Sequence, residues 1–216
     1  TNTVNWVASA VGSQNGEPSF GMDILVGDDG NYYVTGGISG LTTFDSLSTS
    51  SPLQIVGNGT SVHTYIAKIE PDGSWNYVRR SDSPNGFNSP SHQTPQNMRM
   101  GQNGIIIIAG QYDAPYGHPI SSATFGNIEL TEGFMGGYLA GFSTQTASWS
   151  WATDFGASGD NDVGTGIGVL SDGRIVTSIH ACLKGPCNAV VDGVQYNIPS
   201  HEGGSAILWT SYPDSD

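Results

Sequence analysis

Side chains able to do chemistry are few and dispersed in this chain. Cys182 and Cys187 are its two cysteines, set in Ala-Cys-Leu-Lys-Gly-Pro-Cys-Asn, where Gly185-Pro186 marks a turn that brings the two sulfurs together. A local disulfide is the expected state. Free thiols or half of a metal site are the alternatives, although the further Cys or His ligands that zinc needs are missing at the usual spacing. Asp160-Asn161-Asp162 offers the hard oxygens that calcium prefers but lacks the spacing and closing Glu of an EF-hand. The favoured reading is a solvated acidic loop, with Asp160 and Asp162 as the metal candidates and calcium the one cofactor to consider. Asp28-Asp29-Gly30-Asn31 resembles a calcium loop, yet its repeat counterparts mark it as a hairpin turn. His63, His92, His118, His180 and His201 are dispersed, with no paired ligand spacing. There is no Gly-x-Ser-x-Gly elbow and no phosphate-cradling glycine loop, and Lys68 and Lys184 are the only lysine amines. Any fold can bring two of the 19 acids together, so paired carboxylates are not readable here. The expectation is a protein without enzymatic activity.

One segment has the composition of a ligand site. Gln111 to Pro119 carries Tyr112, Asp113, Tyr116 and His118, the mixture of aromatic faces and polar groups that saccharides use. Against it stands the favoured reading that Tyr112 and Tyr116 cover a strand edge. Asn58-Gly59-Thr60 is a glycosylation acceptor pattern at Asn58.

Composition bounds the elements that hold these residues. Charged residues are 12% of 216, and Gly 31 with Pro 11 imply frequent turns, which suits short strands rather than surface helices rich in Glu, Lys and Arg. A net charge of -13 repels phosphate backbones, so nucleic acid is not expected as a partner. The longest aliphatic run, Ile105 to Ile108, is far below the roughly 20 residues of a membrane-spanning helix. The chain starts at Thr1 with neither an initiator Met nor a signal-type segment, and a mature, processed or partial product is the expectation.

Three segments repeat one order of features. Gly30, Gly104 and Gly173 are spaced by 74 and 69 residues, and Tyr65 and Tyr138 by 73. Asp29-Gly30, Asn103-Gly104 and Asp172-Gly173 each stand between apolar runs, as two-residue hairpin turns do. Thr43-Phe44 and Thr124-Phe125 follow, replaced in the third segment by Val191-Asp192-Gly193. Then come Tyr65-Ile66-Ala67-Lys68-Ile69 and Tyr138-Leu139-Ala140-Gly141-Phe142, each leading to a Trp-containing strand. The units run about 5–74, 75–148 and 149–216 within one β-repeat domain covering 1–216, each with four strands and a shorter pair.

The order Asp-Gly-Asn-Tyr-Tyr-Val-Thr-Gly, Thr-Phe, Tyr-Ile-Ala-Lys-Ile-Glu-Pro-Asp-Gly-Ser-Trp resembles the bacterial β-propeller repeat family of large secreted proteins. That resemblance implies an all-β, propeller-like fold of three antiparallel, blade-like repeats and an extracellular or cell-surface setting. It implies no catalytic residue, and three units are fewer than propellers usually have. The third unit ends at Ile207-Leu208-Trp209 without a Trp-type strand after it, while the chain opens with one, Asn5-Trp6-Val7-Ala8. That strand is expected to pair with Ala206 to Thr210, in its own chain or a neighbour's. The function expected is a secreted, non-enzymatic structural or adhesive protein that self-assembles into a filament, tube or lattice, without membrane insertion. A glycan-binding module is the alternative, and a hydrolase or lyase on a propeller scaffold a more distant one.

Overall fold

The computed structural model describes residues 5–12, 19–47, 51–57, 61–82, 92–113, 121–132, 135–157, 163–181, 187–191, 194–198 and 205–211. They form an all-β fold. After β1 (Ala8–Gly12) come β2 (Ser19–Val26), β3 (Tyr32–Ile38), β4 (Leu41–Ser46), β5 (Leu53–Val56), β6 (His63–Ile69) and β7 (Trp75–Arg80). The next set is β8 (His92–Met100), β9 (Ile105–Asp113), β10 (Ser121–Phe125), β11 (Ile128–Glu132), β12 (Met135–Ser143) and β13 (Ser148–Ala157). The last is β14 (Val163–Val169), β15 (Ile175–Ala181), β16 (Cys187–Val191), β17 (Val194–Ile198) and β18 (Ser205–Ser211). Among the described residues no helix is long and apolar enough to cross a membrane.

The main sheets share one antiparallel order: β2-β3-β6-β7, then β8-β9-β12-β13, then β14-β15-β18. Each is interrupted between its second and third strands by a small hairpin, β4-β5, β10-β11 or β16-β17. The Trp-type strands β7 and β13 pair back onto β6 and β12, so the sheets divide after these strands rather than at residues 75 and 149. No closed propeller is detected among the described residues.

The turns differ from the sequence expectation in length. Gly27 N–H donates to Asn31 O (2.8 Å) and Gly30 N–H to Gly27 O (2.9 Å), which encloses three residues, Asp28 to Gly30. Pro71 to Gly73 and Ser171 to Gly173 are enclosed in the same way. In each, an Asp at the second loop position accepts from the backbone N–H two residues on: Asp29 from Asn31, Asp72 from Ser74, Asp172 from Arg174. The following glycine takes positive φ, 75° at Gly30, 87° at Gly73 and 91° at Gly173. A type I turn closed by a left-handed residue matches the twist of the flanking strands, which is why these positions carry Asp-Gly.

Glycine also makes room for aromatic packing inside the sheets. Gly36 faces Tyr65 across β3-β6 and Gly110 faces Tyr138 across β9-β12, and a Cβ on either glycine would collide with the opposing ring. Tyr65 lies edge-on to Phe44 (5.4 Å), which is T-shaped to Trp75 (4.9 Å). Tyr138 meets Phe125 at 4.8 Å, and Phe125 is T-shaped to Trp149 at 4.9 Å. The Thr-Phe signature thus plugs the first two small hairpins onto their own sheets.

The N-terminal strand departs from the first of its two expected pairings, the one within its own chain. Within the chain it does not pair with β18. Ala8 to Gly12 pair with Ser46 to Thr42 of β4, and Asn5 to Val7 precede the strand. β18 pairs with β15. Trp6 is half-buried, T-shaped to Tyr32 (5.4 Å) and seated over Gly73. The side chain at position 6 has its best apolar seat on the first sheet, and β4 offers its free edge to the residues that follow.

Candidate functional site: the uncovered face of the first unit

Of the residues singled out for ligand chemistry, Tyr112, Asp113 and Cys187 fall among the described residues. Tyr112 is fully buried in the core and its hydroxyl donates to Asp154 Oδ2 (3.2 Å). Its ring is core packing, which corrects its expected place in a saccharide surface. Asp113 ends β9 opposite His92 and Met135, and burial raises its carboxyl above the ordinary range, partly offset by His92. Tyr116, His118, Asn58, Asp160, Asp162 and Cys182 lie outside the described residues, and Cys187 opens β16. Among the described residues no three His, Cys, Asp or Glu side chains gather as metal ligands. Burial disfavours the Asp29 carboxylate, but hydrogen bonds from Asn31 and Tyr33, with Lys68 at 3.4 Å, outweigh it and hold the group at about 2. Asp29 therefore fastens its turn to the sheet.

The recurring interactions lie between units. The first packs on the second through β2 and β3 against β8. There Asp23 Oδ2 accepts from Met98 N–H (2.8 Å) and from Arg99 Nη1 (3.3 Å). Met98 is buried in a cluster with Tyr33, Ile66 and Ile106, residues of both units. Thr64 Oγ1 of β6 is 2.7 Å from Tyr138 OH of β12 and donates to Gln93 O (3.1 Å). The Gln93 side chain fills the adjoining space, accepting from Ser81 Oγ and donating to Asp82 O (3.0 Å). Arg79 Nε donates to Ala147 O (3.1 Å), and Trp149 Nε1 to Arg80 O (3.1 Å). The second unit packs on the third through β8 and β9 against β14, with Gln102 Nε2 donating to Ser171 O (3.3 Å).

The glycine spacings of 74 and 69 residues align Ile24, Met98 and Ile167 at one position of the first strand. Met98, clustered with Tyr33 and Ile66 of the preceding unit, is 0% exposed, and Ile167, on the strand that packs against the preceding unit, is 8% exposed, whereas Ile24 is 58% exposed. Along β2 that face stays apolar: Met22 and Val26, two residues to either side, are also exposed. A cavity of about 70 Å³ opens at the start of β2, lined by Ala10, Ser19, Ile38, Thr42 and Tyr65 among others. Tyr65 is the counterpart of Tyr138, and Ser19 of Gln93. Where the second unit has the Thr64 hydroxyl and a long Gln side chain at its junction, the first has a short Ser bonded to Thr42 (2.9 Å) and open space. A surface that is interior at two junctions is exposed at a third position.

The position of Ile24 was missed as a functional residue because β2 alone reads as an ordinary alternating strand. Superposing the units by their glycines places it in register with Met98 and Ile167, but only burial shows that this position is an interface. Comparison with models of known protein families finds no match, and none is found among curated proteins.

Proposed function

We propose that the protein is a non-enzymatic structural repeat protein of the extracellular space or cell surface, built of propeller-like units, which assembles with copies of itself. The observation that carries this reading is the exposure of Ile24 where its counterparts Met98 and Ile167 are buried. Fully burying one aliphatic side chain is worth about 1.5–3 kcal/mol, and Met22, Ile24 and Val26 alternate onto one face of β2. Such a patch on a soluble protein marks an interaction surface. The third unit offers the complementary rear, because the rear of each earlier unit already covers the front of the next. The extracellular setting rests on the Cys182 and Cys187 pair and on the acceptor pattern at Asn58.

Sedimentation and electron microscopy across a concentration series test the reading. Oligomers or filaments that grow with concentration are the expected result; monomers alone at high concentration and physiological salt overturn it.

A further inference from the structure

Resting on the self-assembly reading, we infer that copies join head to tail by strand addition, with Asn5 to Val7 of one copy forming the fourth strand of another copy's third unit, beside β18. In the first two units that slot is filled by β7 against β6 and by β13 against β12. Among the described residues β18 pairs with β15 alone.

The segment that fits the slot is identified by register. Beyond its own sheet, the tail of β7 crosses to the next unit's small hairpin, with Asp82 opposite Thr124. The tail of β13 does the same, with Gly156 opposite Val190. β1 meets the first unit's hairpin at the corresponding place, with Val11 opposite Thr43. β1 is therefore related to the first unit as the end of a last strand is related to the unit after it. The residues before β1 then stand where the last strand of a preceding unit would run. Packing agrees: Trp6 lies over Gly73 (φ 87°), and Arg79 bonds Ala147 (φ 51°), the residue at the same place in the second unit's last turn.

The occupant is a second copy of this chain because donor and acceptor are both its own and are not paired with each other. The same arrival would bring a third-unit rear face onto Ile24 and the β18 backbone towards the cavity at Tyr65. Register follows from the two complete sheets. Tyr77 is opposite Lys68 and Trp151 opposite Gly141, so Trp6 falls opposite Thr210; Val78 is opposite Ala67 and Ala152 opposite Ala140, so Val7 falls opposite Trp209. An edge strand presents unpaired N–H and C=O groups to such an addition without any new side-chain chemistry.

The test is cross-linking in a Cys182→Ala, Cys187→Ala background. Val7→Cys chains are mixed with Trp209→Cys chains, assembled and oxidised. A disulfide needs Cβ atoms about 4 Å apart, so the mixed dimer should form roughly tenfold more than with a Leu47→Cys donor. The double variant should give a ladder of multimers. Cross-linked monomer from the double variant, or a mixed yield no greater than the Leu47→Cys control, overturns the junction while assemblies on the grids preserve the broader reading. Absence of assemblies overturns both. Independently of folding in the variants, a peptide of residues 1–12 in hundredfold excess should shorten wild-type assemblies; unchanged lengths also overturn the proposal.

Discussion

His63 shows how burial sets the acid response of a single residue. Its side chain is 1% exposed and meets the Ser81 backbone. Burial, helped by the Arg80 charge and His92 and opposed by a hydrogen bond to the Ser81 backbone, lowers its pKa from 6.5 to about 4. The unfolded chain therefore binds more protons than the folded one between those values. Stability is complete above pH 6.5, declines as pH falls towards 4, and loses nothing further from this group below that. The shift corresponds to about 3 kcal/mol between the two limits. Urea unfolding at pH 7 and at pH 4.5 should show most of this difference, and His63→Gln should flatten it. An unchanged slope in the variant would assign the acid response to the carboxylates, of which Asp29 titrates only near pH 2.

Two elements of the fold rest on aromatic clusters recurring from unit to unit. Phe44 and Phe125 are fully buried and each holds its small hairpin to a Tyr and a Trp of the neighbouring strands. Phe125→Ala should cost about 3–5 kcal/mol in chemical denaturation, the usual range for emptying a packed aromatic site. Gly73→Ala combines a strained positive φ with a collision against Trp6. It should cost about 1–2 kcal/mol and alter Trp6 packing, read as a fluorescence shift absent from Trp6→Phe. Removing residues 1–7 leaves the β1-β4 ladder intact, so melting should drop by only about 2 kcal/mol for the lost Trp6 contact while assembly stops. The sheets themselves were legible because Asp-Gly turns and apolar runs recur at fixed offsets. Loop length was not: a third enclosed residue leaves the Asp-Gly signal unchanged, and only the backbone bonds reveal it.

Across the whole molecule, the pair Ile24 and Met98 separates folding from association. Ile24→Asp places a charge on an exposed face and should change monomer stability by no more than about 0.5 kcal/mol while abolishing assembly. Met98→Asp buries an unpaired carboxylate between two units and should cost more than about 3 kcal/mol, enough to unfold a marginal chain. Sedimentation and urea melts of the two variants give the comparison; equal effects in both would remove the interface from the first unit. The net charge of -13 adds a salt dependence. Raising ionic strength from about 0.01 M to 0.15 M shortens the Debye length from roughly 30 to 8 Å and should favour association of like-charged copies. The sequence by itself determined the repeat, the strand-rich composition and the placement of Trp6, Tyr77 and Trp151 at one position, because local turn chemistry and side-chain alternation act over a few residues. Strand partners are a different matter, since β-pairing joins residues far apart and one edge accepts any strand of suitable register. That is why β1 goes to β4 rather than β18, why Tyr112 turns inward to Asp154, and why Ile24, indistinguishable in type from Ile167, is exposed while its counterparts are buried.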